Sequence, residues 1–432
     1  MTAKVPQSNQ NLKLIETEIG TIAPDWKVVP LSKVAEKPQY GLTAKAAKSG
    51  NVQFLRITDI TSRGVNWETV PFCSASNKKI DSCRLKSGDI VFARIGATTG
   101  KSYLISDPPE SAFASYLIRV RAGEELDPSF LIHYFQSSGY WTQVDANKHA
   151  SLKMGINGSI LNKLLLPLPP LPEQKRIAHI LSTVQQAIEA QNRIIQTTTA
   201  LKKALMHKLF TEGLRNETQK QTDFGPVPES WEVCKVGDVA KIQSGGTPTR
   251  ETAENWSGGT IPWVKTGEIN YCVIHDTEEK ITPTGLANSS ARLYPKGTLL
   301  MAMYGQGITR GRVGLLGIEA ATNQACASIT PTDKKRVSSV FLYYFFEYHY
   351  EDLRKLGHGA NQRNMNAALI RSFPLMFPKA DEQAAVVTAL ESLDEKRVLH
   401  ERKKTQLQDL FRTLLHELMT AKTRVHNAAF EI

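Results

Sequence analysis

Membrane-spanning segments, a secretion signal and cysteine motifs are absent from this sequence. No apolar run is long enough to cross a membrane, and the first residues contain no apolar stretch of the kind found in a secretion signal. The five cysteines are scattered without a Cys-x-x-Cys pair, which argues against a disulfide framework and against a cysteine-rich zinc site. These absences predict a soluble, cytoplasmic protein with reduced thiols and no membrane partner.

Signatures of catalysis are missing as well. Neither Gly-x-Ser-x-Gly nor His-Glu-x-x-His occurs, and the histidines stand singly. Residues 96–102 resemble a phosphate-binding loop, but three residues separate the glycines where that loop needs four. Residues 107–110 resemble the Asp-Pro-Pro-Tyr of amino-methyltransferases without its aromatic residue, and residues 276–280 are better explained as an exposed charge run than as a nuclease metal site. The sequence therefore predicts neither catalytic nor metal-binding residues.

Positive charge is what the sequence has in excess. Lysine and arginine number 53 against 42 aspartates and glutamates, which gives a formal net charge of +11. Such a balance favours a polyanionic partner, of which nucleic acid is the commonest. The chain has 432 residues, enough for roughly two to four domains with cores of their own.

One long helical pattern occurs twice. Residues 173–210 contain no glycine or proline, and their apolar side chains return at steps of three and four, which predicts an amphipathic helix about 57 Å long. A displacement of 209 residues carries the Glu-Gln pair at 173–174 onto 382–383, and Leu201 onto Leu410. Repetition in register predicts a duplicated element, and the apolar stripes predict a core that two long helices share.

The stretches before these helices repeat too. Gly20 and Trp26 recur as Gly225 and Trp231, a spacing that suits a turn leading into a strand anchored by a buried indole. Alternating strands, a short helix and a proline-rich run follow in each copy, which predicts two tandem mixed α/β domains, each followed by a long helix. The predicted segments are an N-terminal extension (1–20), a first domain (21–172), a central helix (173–212), a linker (213–223), a second domain (224–381), a second helix (382–421) and a tail (422–432).

Loops rich in cations, hydroxyls and amides occupy matching places in the two domains. Such groups hold phosphates and read base edges, and their recurrence in a basic chain favours a DNA interface over ordinary solvated turns. The candidate DNA-binding residues in the first domain are Lys45, Lys48, Thr98, Thr99, Lys101, Lys148 and Lys153. Those in the second domain are Thr247, Thr249, Arg250, Tyr304, Gln306, Thr309, Arg310, Arg312, Asn361, Gln362 and Arg363.

Several features of the chain together point to one family. They are the Gly-to-Trp segments that end at Trp26 and Trp231, the Ser-Gly-Gly-Thr-Pro-Thr run at 244–249, Asn323-Gln324, and the proline-rich Glu-Gln opening of each long helix. Through these features the chain, from about Leu12 to Leu418, resembles the specificity subunits of type I restriction–modification enzymes. The first domain departs from the family pattern, because residues 37–48 lack the Gly-Gly-Thr-Pro run and Ala112-Phe113 stands in place of Asn-Gln.

The resemblance implies an α+β fold of two tandem target-recognition domains, separated by two long helices that form an antiparallel coiled coil with a pseudo-two-fold internal repeat. Each domain would read one half-site of an asymmetric bipartite target, and the helices would set the gap. The partners implied are double-stranded DNA, two methyltransferase subunits and ATP-dependent restriction subunits. No cofactor is expected on this chain, since S-adenosylmethionine, ATP and Mg²⁺ would belong to the partners.

Two other functions remain open at this point. A self-sufficient DNA methyltransferase or nuclease would need a cofactor loop or a carboxylate cluster, and the sequence contains no convincing example of either. A coiled-coil scaffold without a role on DNA would leave the cationic loops unexplained. Salt-dependent binding to DNA separates the scaffold from both of the other functions.

Overall fold

A computed structural model describes residues 14–61, 64–96, 98–149, 155–222, 225–305, 308–355 and 365–425, and the side chains of these apart from 147–149. The chain divides into two compact units. Unit 1 combines Met1–Asn192 with Arg402–Ile432, and unit 2 is the continuous stretch Arg193–Glu401. Each unit contains small mixed sheets, short helices and one part of each of two long helices, so the predicted tandem α+β architecture is confirmed.

The two long helices span Leu171–Glu212 and Ala380–Met419. Pro172 lies in the first turn of the first helix, where its missing N–H costs no hydrogen bond. In unit 2, Lys202 of the first helix contacts Asp394 of the second, and Leu214, just beyond the first helix, contacts Glu382. As residue numbers rise along the first helix, the numbers of the residues that they contact on the second helix fall. The helices therefore pair in antiparallel fashion, as predicted.

Both helices contribute to the core of each unit. In unit 1, Ile177 and Leu181 of the first helix are buried in the same cluster as Leu415 and Leu418 of the second. In unit 2, Met206, Leu209 and Phe210 share a cluster with Val386 and Leu390. Each such leucine or isoleucine stabilises the fold by roughly 1.5–3 kcal/mol relative to an exposed one. The predicted apolar stripes are therefore a shared core.

Unit 1 is organised around a four-stranded sheet and a three-stranded sheet, in which Ser111–Phe113 runs parallel to Val52–Leu55. The four-stranded sheet has the order Ser102–Leu104, Asp89–Ala93, Leu117–Arg121, Gln39–Tyr40, and the three-stranded sheet has the order Ser111–Phe113, Val52–Leu55, Phe72–Cys73. The paired strands outside these sheets are Ile15–Thr17 with Gly20–Ile22, Lys27–Pro30 with Leu165–Leu168, and Ile60–Thr61 with Gly64–Val65. The short helices are Leu31–Val34, Ile57–Asp59 (3₁₀), Trp67–Thr69 (3₁₀), Asn77–Ser82, Pro128–Tyr134, Ser138–His149 and Gly158–Lys163.

Unit 2 repeats this plan with one more strand in each of the two main sheets. Its central parallel pair is Ile261–Val264 with Ala320–Thr322. The larger sheet has the order Ala240–Ser244, Cys326–Pro331, Leu299–Ala302, Val313–Leu316, Val273–Ile274, and the second has the order Glu279–Ile281, Ile261–Val264, Ala320–Thr322, Leu293–Tyr294. Two further pairs are Gln219–Thr222 with Gly225–Pro228 and Glu232–Lys235 with Pro374–Phe377. The short helices are Val236–Val239, Ala253–Asn255 (3₁₀), Thr266–Glu268 (3₁₀), Pro283–Ala287, Ser339–Tyr348, Tyr350–Lys355 and Ala367–Ser372.

A buried tryptophan fastens each domain to the start of a long helix. Trp26 Nε1 donates to Glu173 Oε2 at 3.1 Å, and Trp231 Nε1 donates to Glu382 Oε1 at 3.4 Å. Both carboxylates are almost completely buried, which is tolerated because each is hydrogen-bonded and paired with an arginine. The repeated tryptophans seen in the sequence are therefore the anchors of the helix junctions.

The glutamine after each of these glutamates bonds three backbone groups and so joins two backbone segments. Gln383 Oε1 accepts from Ser338 N at 3.1 Å, and its Nε2 donates to Arg336 O at 2.8 Å and Pro378 O at 2.9 Å. Gln174 repeats this arrangement in unit 1 with Asp127 N at 2.8 Å and with Glu125 O and Pro169 O at 2.9 Å each. Both glutamines are buried, so their amides replace water for backbone groups that would otherwise be unpaired.

An arginine beyond the end of each helix closes the same junctions. Arg424 binds Glu173 at 2.8 Å and Asp25 at 2.8 Å, while Arg215 lies 3.3 Å from Glu382. The Arg424 side chain is 9% exposed and that of Arg215 is 47% exposed, so the first ion pair is shielded from water and the second is not. The two arginines are 209 residues apart, like the helices that they follow.

The two long helices also meet through polar side chains, and in unit 2 these form an ionic cluster. Lys202 Nζ lies 2.8 Å from Glu347 Oε1 and 2.7 Å from Asp394 Oδ2, and the Tyr344 hydroxyl donates to the same Asp394 oxygen at 3.0 Å. Arg397 adds an ion pair to Asp394 at 3.6 Å. The cluster joins a short helix of the domain to both long helices, and so the polar seam residues link the domain to the helix pair.

Candidate nucleic-acid interface

A close crossing of backbones marks the same place in both units. Each unit has a central pair of parallel strands, and a glycine-containing segment passes over the end of this pair. A backbone N–H of the segment donates a hydrogen bond to the last residue of the second strand. The residue that follows the second strand donates a hydrogen bond to the last residue of the first strand. The bonds are Gly246 N to Thr322 O (2.9 Å) and Asn323 N to Val264 O (3.0 Å) in unit 2, and Leu42 N to Phe113 O (2.8 Å) and Ala114 N to Leu55 O (2.9 Å) in unit 1.

These bonds correct one interpretation of the sequence. They place Ala114 and Ser115 at the positions of Asn323 and Gln324, so the assignment of residues 112–113 to the Asn-Gln place was wrong. Residues 112–113 lie inside the parallel strand itself and correspond to the two residues before Asn323. The first domain thus has small side chains where the second has two amides.

Glycine is required at the first position of each crossing. A Cβ on Gly245 would lie 2.1 Å from Thr322 O, and a Cβ on Gly41 would lie 2.3 Å from Phe113 O, distances that atoms do not adopt. Residues 37–48 therefore keep the one glycine that the crossing needs although they lack the full Gly-Gly-Thr-Pro run. The second glycine is needed in unit 2 because a Cβ on Gly246 would meet Ala291 N at 2.3 Å.

A hairpin loop emerges beside this crossing in each unit. Met303 N donates to Ala325 O at 2.8 Å, and Arg94 N donates to Tyr116 O at 3.1 Å. The loops that follow, described at residues 96 and 98–101 in unit 1 and at residues 305 and 308–312 in unit 2, therefore leave the sheet next to the tight turns at 114–116 and 323–325. One surface of each unit thus carries the glycine segment, the turn and the hairpin loop.

In unit 2 this surface contains an open cleft of about 580 Å³. Arg250 stacks over Trp256, 3.9 Å from the ring centroid, and forms a two-point ion pair with Glu279 at 2.8 and 3.1 Å. This hydrogen bonding holds the pKa of Glu279 below its usual value. The lining residues are Thr247, Arg250, Trp263, Lys265, Thr266, Gly267, Glu268, Glu278, Asn323 and Gln324.

A second ion pair lies at the mouth of this cleft. Lys265 Nζ is 2.5 Å from Glu278 Oε2, and this bond holds the pKa of Lys265 above its usual value. The carboxylate of Glu268 accepts from the backbone N–H groups of both residues, at 2.7 Å and 2.9 Å. Thr247 donates its hydroxyl proton to Gln324 Oε1. The backbone at the cleft is therefore fixed, while a lysine and a glutamate extend from it into solvent.

Unit 1 has an open cleft of about 440 Å³ that overlaps this place without including the turn at 114–116. Arg56 takes the position of Lys265, because each precedes a 3₁₀-helix and each backbone N–H donates to a carboxylate three residues later. In unit 1 that carboxylate is Asp59, which also binds the Arg56 guanidinium at 2.7 Å. The lining residues are Ala46, Ala47, Lys48, Arg56, Glu68, Thr69, Val70, Pro71 and Phe72. The two clefts share a frame and differ in their side chains.

The predicted site residues fall into four groups. Lys48, Thr247 and Arg250 line the clefts, and Lys45 and Thr249 are exposed in the adjoining segments. On or next to the hairpin loops lie Thr98, Thr99, Lys101, Tyr304 and Thr309. Two arginines bond within their own unit: Arg310 donates to Arg354 O at 3.0 Å and Arg312 to Asn270 Oδ1 at 2.6 Å. Outside the described residues are Lys153, Gln306, Asn361, Gln362, Arg363 and the side chain of Lys148.

The prediction missed Arg56, Lys265 and Glu278 as cleft residues. A signal was present, since Arg56 and Lys265 are separated by the same 209 residues as the long helices and each follows a central strand. In the part of the chain that the structure describes, no group of three or more His, Cys, Asp or Glu side chains could hold a metal ion. Within that same part, no helix is long and apolar enough to cross a membrane.

Comparison with known proteins decides the family. The model of the type I restriction modification DNA specificity domain matches this chain twice, over residues 24–199 and 228–409. The chain belongs to the type I restriction–modification specificity family. A specificity subunit recognises DNA sequence and is not itself catalytic, because catalysis lies in the partner subunits.

One relative matches this specificity subunit over almost its whole length, and another matches about half of it. A putative type I restriction enzyme MjaX specificity subunit of Methanocaldococcus jannaschii is 27% identical over 422 residues, covering 95% of this chain and 96% of that one. The MjaIX specificity subunit of the same organism is 31% identical over 207 residues, covering 46% and 45%. The crystal structure of an S subunit from M. genitalium superposes with a TM-score of 0.62 at 15% identity, covering 97% and 99%, which shows a shared fold.

Proposed function

We propose that this specificity subunit reads an asymmetric bipartite DNA sequence, with one half-site contacted by each unit. The observation that carries the proposal is the pair of clefts, which overlap around Arg56 and Lys265 and differ in the rest of their lining. The repeated backbone arrangement favours two similar modes of docking on DNA. Different groups at the clefts, Lys48 and Arg56 in unit 1 against Arg250 and Gln324 in unit 2, favour two different half-sites.

Within each surface, the proposed roles follow from the chemistry of the groups. Exposed lysines and threonines of the hairpin loops, such as Thr98 and Lys101, suit phosphate contacts that set position without sequence information. The amides and charged groups of the clefts suit base edges in the major groove. Arg310 and Arg312 suit a supporting role, since they bond to their own unit. Residues 21–172 and 224–381 are the proposed limits of the two reading domains.

The long helices are the proposed ruler of the gap between the half-sites. At 1.5 Å per residue, a deletion of seven residues shortens a helix by about 10 Å, or roughly three base pairs of DNA. Residues 191–197 and 400–406 correspond under the repeat, and removal of a whole heptad from both keeps the apolar stripe in register. The double deletion is expected to shorten the gap and to leave both half-sites unchanged.

The experiment that tests both proposals is sequencing of methylated adenines in cells that carry this chain with its partner methyltransferase. The natural chain should give a bipartite asymmetric motif, and the double deletion should give the same half-sites at a shorter spacing. A chain in which the two heptads are exchanged keeps the helix lengths and serves as the control, with an unchanged gap. Altered half-sites at an unchanged gap would contradict the ruler, and a continuous motif would contradict the bipartite target.

We further propose that the subunit works in the cytoplasm and binds two methyltransferase subunits and ATP-dependent restriction subunits. The duplicated helix junctions support a stoichiometry of two, because the same buried pair, Trp26 with Glu173 or Trp231 with Glu382, positions the corresponding surface of each unit. S-adenosylmethionine, ATP and Mg²⁺ would then be bound by those partners. The mass of the assembled complex in solution measures the stoichiometry.

A further inference from the structure

Phosphate binding does not explain one exposed carboxylate in the cleft of unit 2. The Glu278 side chain is 73% exposed at the cleft mouth, within a surface otherwise rich in cations, hydroxyls and amides. A carboxylate in that position repels the phosphates of approaching DNA. Its presence therefore weakens non-specific binding unless DNA offers it a hydrogen-bond donor.

The neighbouring carboxylate, Glu279, is held in a different way. Arg250 binds it at two points and is itself stacked over Trp256 and Trp263, so Glu279 serves to orient Arg250. Among the described residues, Glu278 Oε2 makes a single contact, with the ammonium of Lys265. An exposed pair of this kind contributes little to stability and exchanges partners at little cost.

The backbone of Glu278 is nevertheless fixed. Its N–H donates to Glu268 Oε1 at 2.9 Å, and Glu268 also holds the N–H of Lys265. The following residue, Glu279, pairs with Trp263 in the sheet. The side chain thus starts from a rigid position, which is what a group that reads a base edge requires.

DNA presents few donors to a carboxylate. In the major groove these are the exocyclic amino groups, N4 of cytosine and N6 of adenine, whereas the phosphate oxygens and the exposed N7, O6 and O4 atoms of the bases are acceptors and the thymine methyl group is apolar. When Lys265 transfers to a phosphate, Glu278 is left beside the DNA with an unpaired charge. That charge is stabilised next to an amino group and penalised next to an acceptor.

We propose that Glu278 is a specificity-determining residue, which accepts a hydrogen bond from the amino group of one cytosine or adenine in the half-site read by unit 2. Lys265 neutralises it in the free chain and binds a phosphate in the complex. This inference rests on the proposed function. It adds the class of base atom that is read and the residue that reads it.

The test compares Glu278→Gln with Asp276→Asn. Asp276 is 74% exposed and pairs with Lys280, and it is not among the residues that line the cleft, so the two variants lose the same charge at similar exposure. Each chain is assembled with its partner methyltransferase and given a DNA library randomised over both half-sites. The methylated products are sequenced. A third chain, Lys265→Met, tests the phosphate contact.

In Glu278→Gln, discrimination is expected to fall about tenfold at one base pair of one half-site and to stay unchanged elsewhere. The identity of the favoured base at that pair decides between cytosine and adenine. Asp276→Asn should keep every base preference of the natural chain. Lys265→Met should weaken binding evenly across sequences and lower the salt dependence by about one phosphate contact.

Unchanged base preferences in Glu278→Gln overturn the inference, and so does a change at the same base pair in Asp276→Asn. In either case the natural chain still gives a bipartite motif, and the proposed function stands. If the natural chain itself gives no bipartite motif, the proposed function is refuted, and this inference is refuted as well because it rests on that function. The two failures are distinguished by the natural chain alone.

Discussion

Replacement of Gln383 tests how the second domain is held to its helix. Gln383→Ala leaves one backbone N–H and two backbone carbonyls without their partners in a place where the side chain is 2% exposed. Each buried group left unpaired costs about 1–3 kcal/mol, and partial access of water keeps the sum near 3–5 kcal/mol. Gln383→Met keeps the volume of the side chain and removes the same bonds, so it separates lost hydrogen bonds from an added cavity.

The assay is hydrogen–deuterium exchange resolved by peptide, because it reports local opening free energies separately for each unit. A loss of 3 kcal/mol accelerates exchange about 100-fold in the peptides around residues 336–338 and in the first turns of the second long helix. Peptides of unit 1 should exchange as in the natural chain. Gln196→Ala, at an exposed helix position, is the control. Natural exchange rates in Gln383→Met would refute the assignment of stability to these three bonds.

Three other substitutions give quantitative expectations. Lys202→Met should destabilise unit 2 by about 3–5 kcal/mol, since it removes the cation nearest to Glu347 and the nearer of the two cations that pair with Asp394. Burial raises the pKa of the Glu347 carboxyl in the folded protein, and Lys202 opposes that rise. The loss of stability in Lys202→Met should therefore be small below about pH 4.5, where this carboxyl is protonated in both the folded and the unfolded protein, and should grow as the pH rises through the raised folded pKa. Urea unfolding at several pH values measures this dependence. Arg424→Ala should cost about 3 kcal/mol by urea unfolding, because it strips the buried Glu173 carboxylate of its cation, and equal losses in Arg424→Ala and Arg215→Ala would contradict the reasoning. Arg215→Ala should cost about 1 kcal/mol or less, since that side chain is half exposed.

The architecture could be predicted because duplication makes weak patterns repeat. A single Glu-Gln pair before an apolar stripe means little, but two pairs 209 residues apart mark the starts of two equivalent helices. The reason for the pair was out of reach, since the partners of Gln174 are backbone atoms of residues 125, 127 and 169, which only the fold brings together. The same holds for the polar seam, where Lys202 meets Glu347 across 145 residues of sequence.

The candidate site could be predicted only in part. Loops with cations and hydroxyls were found from composition, and Thr247 and Arg250 do lie at a cleft. Composition could not show that Arg310 and Arg312 bond inward, because that depends on carbonyl and amide groups from other elements. The Asn-Gln counterpart was misplaced by two residues because strands of three residues give too short a pattern to fix register, which backbone hydrogen bonds decide.

The division of the chain between the units has a consequence for synthesis on the ribosome. Unit 2 is one uninterrupted stretch, so all of its internal contacts become available once residue 401 has left the exit tunnel. Unit 1 needs residues 402–425 to cover Ile177 and Leu181 and to bring Arg424 to Glu173. Unit 1, whose first residues are synthesised first, is thus the last unit to be completed. During translation the apolar face of its part of the first long helix stays exposed until the end of the second long helix has been synthesised. A pause in elongation after residue 401 would prolong that exposure and, with it, the need for a chaperone.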